Sequence, residues 1–348
     1  MRIGLVAPPF VEVPPERYGG TEAVVDTLAR GLQEAGHEVR LFSLRCSRCP
    51  VPTSFWYERP AEPMGAASAE AAQVVAAYAE LDGVDVVHDH SLLGPLVFAG
   101  RAPMPVVTTC HNPFTADLRL VYRQVAAHAA LVAVSYAQRR SAPELPVLRV
   151  IHHGLDLRGV PIGSGSGGYL AFLGRMGPDK GAARAARVAR AAGLPLRIAA
   201  KMRAPDEVGY FETEVLPLLG DGVEFLGEVD AAQRAALLAG AVALVNPIRW
   251  PEPFGLAMIE ALATGTPVVA LAYGSAPEVV RHGETGFLCH DEDELVVALR
   301  HIGTLDRAAC RADVEARFTM QRMVADYVRV YEQVRLGVPA RHRARAVT

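Results

Sequence analysis

The chain has 348 residues, and 51% of them are hydrophobic, which is enough to build the cores of two domains of ordinary size. The formal net charge of −3 leaves no broad basic surface and argues against non-specific binding to nucleic acid. No signal peptide precedes the strand-like run that begins at Arg2, and no apolar run approaches the ~20 residues of a membrane span. A soluble, cytoplasmic protein is therefore expected. The basic C-terminal residues RHRARAVT are predicted to form a solvated tail.

The first half of the chain alternates strand and helix patterns. Apolar residues at helical spacing predict helices over 21–35 and 66–81. Short apolar runs predict strands at RIGLVAP, EVRLFS, VDVVHDH, PVVTTCH and ALVAVS. Strands that alternate with helices are typical of a parallel sheet covered on both faces.

The five cysteines are an odd number in a protein expected to be cytosolic, which argues against a disulfide framework. Cys46 and Cys49 form one CxxC pair. A structural zinc site needs about four ligands, and the sequence has no second cysteine pair of this kind. We therefore predict a surface loop at this CxxC and no metal site.

A Gly/Ser-rich stretch over 159–168, GVPIGSGSGG, has neither helical nor strand periodicity and is predicted to be a flexible linker. It contains a GxGxG pattern. A dinucleotide-binding loop needs a strand before the glycines and a helix after them, whereas here the strand YLAFLGR follows the glycines. A dinucleotide site is therefore not expected at this position.

The second half of the chain repeats the architecture of the first. Its predicted strands are YLAFLGR, LRIAAK, VEFLG, VALVNPI and PVVAL, and its predicted helices are RAARVARAAG, AAQRAALLAG and FGLAMIEALATG. The predicted fold class is α/β, with two Rossmann-like doubly wound parallel-sheet domains facing each other across a cleft. Ligands of open α/β sheets bind at the carboxyl ends of the strands, which would line this cleft.

Three segments follow from this pattern. Residues 1–158 form the predicted N-terminal Rossmann-like domain, and residues 168–310 form the predicted C-terminal one. Residues 311–348 contain an amphipathic helix over 319–336, which could pack back across the domains, and the basic tail.

The stretch EPFGLAMIE places two glutamates around a predicted helix start. Glu252 lies in the loop after the strand VALVNPI, and Glu260 lies inside the helix that follows. The free backbone N–H groups of Gly255 and Leu256 suit phosphate or hydroxyl oxygens, and Gly255 allows a ligand to approach the backbone closely. Carboxylates at such an edge bind vicinal hydroxyls, as in ribose recognition. For either glutamate alone, a purely structural charge on a helix is the competing interpretation.

Two cations and a glycine pair mark further candidate positions. Arg175 ends a predicted strand and Lys180 follows it in FLGRMGPDKG, where the two could neutralise a diphosphate leaving group. Gly19 and Gly20 precede the first predicted helix and offer backbone N–H groups. Solvated surface cations and a plain flexible loop are the competing interpretations.

Together with HDHS over 88–91, TTCHN over 108–112 and VIHHGLDL over 150–157, these motifs resemble the retaining glycosyltransferases of family GT4, which have the GT-B fold. The resemblance covers nearly the whole chain. EPFGLAMIE matches the E-x7-E signature of the family, FLGRMGPDKG matches its strand–Arg–Lys-Gly element, and TGTPVVA and GSAPEVVRHGETGFL match the flanking pattern. AAKMRAP departs from the usual glycine-rich loop, and GSAPE replaces the commoner Gly-Gly before Pro-Glu.

The resemblance implies roles for individual residues. Arg175 and Lys180 would hold the donor diphosphate. Glu252 would contact hydroxyls of the donor sugar, Glu260 the ribose, and His111 would lie near the donor sugar. The N-terminal half would bind the acceptor. The remaining donor-binding positions implied by the family are Gly19, Gly20, Lys201, Val229, Phe254, Gly255 and Leu256.

The chemistry that the resemblance implies is sugar transfer from a nucleotide-diphosphate sugar to a hydroxyl acceptor, with retention at the anomeric carbon. A double displacement would need a nucleophilic carboxylate, for which Glu252 is the candidate, but front-face attack assisted by the leaving phosphate is favoured. UDP is the favoured nucleotide. No cofactor is required, and Mg²⁺ is expected to stimulate at most, without a fixed site. The favoured acceptor is a small molecule or oligosaccharide natural product, as in an actinobacterial pathway to an antibiotic of the avilamycin type.

Three alternatives stay open at this point. A membrane-associated lipid or cell-envelope glycosyltransferase would use arginines such as Arg119 and Arg123, although no strongly basic amphipathic helix is predicted. A catalytically silent sugar-nucleotide-binding protein would keep the same motifs. A nicotinamide-dependent oxidoreductase would need a glycine fingerprint after the first strand, where VAPPFVEVPPE has none. The sugar, the acceptor and the oligomeric state are not determined by the sequence.

Overall fold

A computed structural model of the chain describes residues 1–337, and the predicted basic tail lies outside the described residues. The chain divides into two compact units. Unit 1 comprises Met1–Pro15, Gly19–Gly154 and, within the described residues, 320–337. Unit 2 comprises Glu16–Tyr18 and Leu155–Thr319.

Unit 1 is built on a seven-stranded, entirely parallel sheet in the order β3-β2-β1-β4-β5-β6-β7. Its strands are β1 (Arg2–Val6), β2 (Glu38–Leu44), β3 (Thr53–Tyr57), β4 (Val86–Asp89), β5 (Val106–Cys110), β6 (Ala129–Ala133) and β7 (Val147–Val150). The first five helices are α1 (Gly20–Glu34), α2 (Ala67–Glu80), α3 (Leu93–Phe98), α4 (Ala116–Val125) and α5 (Tyr136–Ser141). All residues of β4 and β5 are buried, because helices cover both faces of a sheet of this kind.

Unit 2 is built on a six-stranded parallel sheet in the order β10-β9-β8-β11-β12-β13. Its strands are β8 (Leu170–Arg175), β9 (Leu196–Lys201), β10 (Val223–Gly227), β11 (Ala243–Asn246), β12 (Val268–Leu271) and β13 (Gly286–Cys289). Its helices are α6 (Ala182–Ala192), α7 (Pro205–Tyr210), α8 (Ala231–Gly240), α9 (Leu256–Ala263), α10 (Ala276–Val279), α11 (Glu292–Arg300) and α12 (Arg307–Arg317), with short helical turns at Phe211–Val215, Leu216–Leu218 and Ile302–Thr304. The last helix of the chain, α13 (Met320–Arg335), belongs to unit 1.

The predicted class of two doubly wound parallel-sheet domains is confirmed. In both units the strand order reverses beside the first strand, between β1 and β4 in unit 1 and between β8 and β11 in unit 2. Such a reversal is the topological switch point at which open α/β sheets bind ligands, outside the carboxyl ends of the strands. Three strands were not predicted from the sequence: β3, β7 and β13. The first of these is an edge strand with most of its residues exposed, so it lacks the apolar run that marks a buried strand.

The segment over 159–168 is not the flexible linker that its composition predicts. Three of its glycine N–H groups donate to carbonyl oxygens of unit 2, from Gly163 to Thr264 (2.9 Å), from Gly165 to Ala239 (3.2 Å) and from Gly167 to Gly240 (3.0 Å). A Cβ on Gly163 would lie 2.0 Å from the Ala239 carbonyl oxygen. The glycines therefore permit close backbone packing, and the segment is a fixed part of unit 2.

The CxxC loop is only partly at the surface. Cys46 is exposed, but Cys49 is buried, and all five cysteines are free thiols. Every helix within residues 1–337 is too short or too polar to span a bilayer.

Candidate active site

The switch point of unit 2 gathers the predicted phosphate-binding cations. Arg175 is the last residue of β8, and it pairs in register with Lys201, the last residue of β9. Glu252 follows β11, the neighbour of β8 on the other side. The chain order of the strands thus brings side chains from three separate segments to one edge of the sheet.

Lys180 and Glu252 form one half of this cluster. The Lys180 ammonium donates to Glu252 Oε2, and the indole N–H of Trp250 donates to the same oxygen (2.6 Å). The Lys180 Nζ also lies 4.8 Å from the centroid of the Trp250 ring. Sequence reasoning missed Trp250, although it stands only two residues before Glu252.

Arg175 and Lys201 form the other half, and Glu207 joins them. Lys201 Nζ donates to Glu207 Oε1 (3.1 Å), Arg175 Nη1 lies 3.8 Å from the same oxygen, and Arg175 Nη2 donates to Asp179 (2.7 Å). Burial alone would raise the pKa of Glu207, but the backbone N–H of Arg203 and the Lys201 ammonium hold it below its usual value. Glu207 was not predicted; it lies in the first turn of α7, where a helix-start role is the ordinary interpretation.

Three cations therefore face three carboxylates around this edge: Arg175, Lys180 and Lys201 against Asp179, Glu207 and Glu252. The carboxylates hold the cations in fixed positions when no ligand is bound. A diphosphate bound at this edge would meet charges that are already oriented, which would lower the cost of reorganisation.

Tyr18 lies within electrostatic reach of both halves. Burial raises the pKa of its phenol to about 12, and the charge of Glu252 contributes in the same direction. Its backbone N–H donates to Glu228 Oε1 (3.2 Å), which also accepts from Arg203 Nη2 (2.6 Å). Glu228 precedes Val229, the predicted border of the base site, so charged groups flank that position.

The start of α9 has the geometry of an anion-binding helix N-terminus. Gly255 is its N-cap residue and has φ = 83°, in the left-handed region that favours glycine. A Cβ at this position would lie 2.6 Å from Met258 Cε. Leu256 is the first helical residue, and Phe254, just before the cap, is buried. The first backbone N–H groups of the helix are the ones available to a ligand.

Glu260 lies within α9 and pairs with Arg234 on α8. Its Oε1 is 3.3 Å from Arg234 Nε. Burial raises the pKa of Glu260, and Arg234 opposes this shift. A partly buried carboxylate with one cationic partner can accept two further hydrogen bonds, as a ribose diol would require.

In unit 1, His111 belongs to a cluster of histidines at the carboxyl ends of the strands. His90 follows β4, His111 follows β5 and His153 follows β7. The His90 Nδ1 is 2.9 Å from His111 Nε2, and the His111 ring stacks on His153 with centroids 5.6 Å apart. Burial lowers the pKa of His111 to about 4, so its imidazole is neutral at physiological pH. His90 and His153 fall within motifs noticed in the sequence, but no role was predicted for either.

Gly19 and Gly20 also lie in unit 1, at the carboxyl end of β1. Gly19 caps α1 and Gly20 is its first residue. A Cβ on Gly19 would lie 2.8 Å from Pro15 Cβ and 2.9 Å from Glu22 Oε2. Glu22 is buried, and burial raises its pKa to about 7. A side chain at Gly19 would therefore require Pro15 or Glu22 to shift.

The predicted residues are thus divided between the units. Unit 2 holds Arg175, Lys180, Lys201, Val229, Glu252, Phe254, Gly255, Leu256 and Glu260, and unit 1 holds Gly19, Gly20 and His111. Within residues 1–337, no group of three or more His, Cys, Asp or Glu side chains is arranged to hold a metal ion.

Comparisons with known proteins agree with this geometry. The family model "Glycosyltransferase Family 4" matches residues 18–158, and the model "Glycosyl transferases group 1" matches residues 167–304. A phosphatidyl-myo-inositol mannosyltransferase of Mycolicibacterium smegmatis is 30% identical over 382 aligned residues, which cover 96% of this chain and 94% of the relative.

Solved structures give the same result. AviGT4, a glycosyltransferase involved in avilamycin A biosynthesis, has 26% identity and a TM-score of 0.69, with 97% of this chain and 98% of that chain covered. Anabaena Alr3699/HepE in complex with UDP-glucose has 19% identity and a TM-score of 0.77, with 96% and 100% covered. The fold and the matches define a glycosyltransferase enzyme of the GT-B type. The chain belongs to glycosyltransferase family 4, as its motifs predict.

Proposed function

We propose that the protein is a retaining glycosyltransferase that transfers a sugar from a UDP-sugar to a hydroxyl of a small molecule or oligosaccharide natural product. The observation that carries the proposal is the cluster in which Arg175, Lys180 and Glu252 meet at the switch point of unit 2. UDP is favoured because a protein of the same fold is seen in complex with UDP-glucose. The likeness to AviGT4 supports a natural-product acceptor.

The residues suggest a division of labour during transfer. Arg175 and Lys180 neutralise the charge that develops on the departing diphosphate. Glu252 accepts hydrogen bonds from hydroxyls of the donor sugar, and His111, as a neutral imidazole, contributes a further hydrogen bond near that sugar. The acceptor hydroxyl attacks from the side of the leaving group and passes its proton to the phosphate, which accounts for retention without a nucleophilic carboxylate.

This scheme assigns no step to a cofactor. The charge carried by a metal ion in other phosphate sites is supplied here by side-chain cations, so Mg²⁺ is proposed to stimulate at most. Lys201 and Val229 are proposed to border the base, and Glu260 to bind the ribose.

Calorimetry with UDP, GDP, ADP and dTDP, without metal and then with Mg²⁺, tests the donor site. We expect micromolar binding of one nucleotide, UDP, without metal. Conjugates of that nucleotide are then assayed for transfer, and the anomeric configuration of the product is read by NMR. Binding of none of the four would contradict the donor assignment, an inverted product would contradict the mechanism, and binding without turnover would favour a silent sugar-nucleotide-binding protein.

A second candidate acceptor is a lipid headgroup. The observation that favours it is the 30% identity with a phosphatidyl-myo-inositol mannosyltransferase over nearly the whole chain. On α4, Leu120 is 69% exposed and stands beside Arg119, with Arg123 in the last turn. Transfer to vesicles containing phosphatidylinositol, compared with soluble oligosaccharide acceptors, separates the two proposals.

A further inference from the structure

Trp250 makes contact with both charged members of the Lys180–Glu252 pair. Its indole N–H donates to Glu252 Oε2 at 2.6 Å, and its ring lies under the Lys180 ammonium at 4.8 Å. The backbone fixes the same arrangement, because the Glu252 N–H donates to the Trp250 carbonyl oxygen at 2.7 Å. Trp250 and Glu252 are therefore joined by a side-chain and a backbone hydrogen bond, whereas Lys180 comes from a separate segment 72 residues earlier.

The two charged side chains are shielded from solvent to a similar degree. The side chains of Lys180 and Glu252 are 12% and 14% exposed. At such burial, a hydrogen bond to a charged group contributes more than one between neutral groups. A cation over an indole face is also stabilised, and Trp is the best of the aromatic rings for this contact. Lys180 is thus held twice, by a carboxylate and by an aromatic face.

Binding of a diphosphate changes the balance of these contacts. The Lys180 ammonium is a point charge on a flexible four-carbon stem, so it can turn from one acceptor to another over a few ångströms. A diphosphate carries more negative charge than a single carboxylate and competes successfully for it. Once Lys180 leaves, Glu252 loses its cation while a new anion arrives nearby. Without another donor, the carboxylate would be repelled from its position.

We propose that Trp250 is a positioning residue that holds Glu252 in place while Lys180 transfers from Glu252 to the donor diphosphate. This inference rests on the proposed function, because it takes the diphosphate of a sugar nucleotide as the ligand. The indole N–H keeps Oε2 occupied throughout, so Oε1 is available to a hydroxyl of the donor sugar. In the ligand-free protein the indole face contacts the Lys180 ammonium, and this contact is replaced by one to the diphosphate when the ligand binds.

The two tryptophans of the chain allow a direct test. The chain contains only Trp56 and Trp250. Trp56 lies in β3 of unit 1 and is 60% exposed. The variant Trp56→Phe therefore leaves Trp250 as the single indole reporter, and indole emission responds to nearby charges. UDP is titrated into this variant while emission is recorded, and calorimetry on the same sample measures binding independently. We expect the emission of Trp250 to change with the same Kd as calorimetry gives.

The matched control adds Lys180→Met to Trp56→Phe. Its emission before ligand addition should already differ from that of Trp56→Phe. UDP binds this variant more weakly, so UDP is added to concentrations at which calorimetry shows saturation, and it should then change the emission no further. UDP binding to Trp56→Phe without any change in emission would overturn the transfer of Lys180 and leave the donor site intact. Absence of UDP binding in calorimetry would instead contradict the proposed function, so the two failures are distinguishable.

Kinetics of two substitutions test the positioning role. Trp250→Phe keeps an aromatic face for Lys180 and removes the indole N–H. We expect its Kd for UDP to stay within about threefold of wild type. Its kcat should fall by about 10- to 100-fold, which is the usual effect of losing a hydrogen bond to a charged group. Trp250→Leu removes both contacts and should alter the Kd as well. Equal kcat values in wild type and a folded Trp250→Phe would overturn the role assigned to the indole N–H.

Discussion

His90 Nδ1 lies 2.9 Å from His111 Nε2, and this contact determines which nitrogen of His111 carries a proton. The other ring nitrogen of His90, Nε2, is buried and has no hydrogen-bond partner within residues 1–337. A buried N–H without an acceptor is rarer than a buried acceptor without a donor. We therefore assign the proton of His90 to Nδ1, from which it is donated to His111. His111 then carries its own proton on Nδ1 and is a hydrogen-bond donor there.

Substitution of His90 should affect catalysis according to the donor that remains. In His90→Asn the amide nitrogen takes the place of Nδ1 and should keep kcat/KM within a few-fold, whereas His90→Leu should lower it by about 5- to 10-fold, as expected for one neutral hydrogen bond. ¹⁵N NMR of the imidazoles reports the tautomer directly. An Nε2–H signal for His111 in the wild-type protein would contradict the assignment.

The cations at the carboxyl end of β8 should matter more than other arginines of unit 2. Arg175→Ala and Lys180→Ala should each weaken UDP binding and lower turnover by about 100-fold or more, because each removes a charge aimed at the leaving group. Arg187→Ala is the matched control, since Arg187 lies on the exposed face of α6 and pairs with the exposed Glu214. Steady-state kinetics and calorimetry are compared for all three variants. Ordinary activity in both Arg175→Ala and Lys180→Ala would remove the leaving-group role.

Sequence reasoning succeeded where one local pattern carried the structural signal. Arg175 ends one strand with a clear apolar run and Glu252 follows another, and the rule for parallel sheets places both at the ligand edge. Gly255 was identified because it stands between a carboxylate and the first residue of an apolar helical pattern. These positions depend on residues within about ten of each other along the chain.

Contacts between segments that are distant in the chain could not be predicted from the sequence. Trp250 and Glu207 became visible only when Lys180 and Lys201 were seen to share their contacts. The close approach of Gly163 to Ala239 likewise joins segments 76 residues apart, so a composition typical of a linker concealed a packed segment. Burial, and with it the pKa shifts of the histidines and glutamates, is also a property of the assembled sheet.

Glu260 should make nucleotide binding depend on pH. Its pKa is raised by burial, so its carboxylate is protonated at a higher pH than that of a free glutamate. If the ionised form binds the ribose, the affinity for UDP falls as pH falls through this raised pKa. In Glu260→Gln the affinity should be lower by about 10- to 100-fold and should lose this contribution to the pH dependence. Calorimetry of both proteins between pH 5 and 8 isolates the effect, since the titration of the UDP phosphate is common to both; parallel pH curves would contradict it.

Glu22 should make the free energy of unfolding depend on pH. Folding raises its pKa from 4.5 to about 7, so the native state binds the proton more tightly than the unfolded state. The free energy of unfolding therefore falls as pH rises from about 4.5 to about 7, and this contribution is constant above that range. The shift corresponds to at most about 3 kcal/mol.

Glu22→Gln removes the cost of ionising a buried carboxyl. The variant should therefore have the same free energy of unfolding as wild type near pH 4, and a free energy of unfolding higher by up to this value above pH 7.5. Urea unfolding followed by circular dichroism at both pH values measures the difference, with Glu34→Gln, at the exposed end of α1, as the control. A difference between wild type and Glu22→Gln that is the same at both pH values would show that the Glu22 carboxyl does not titrate across this range on folding.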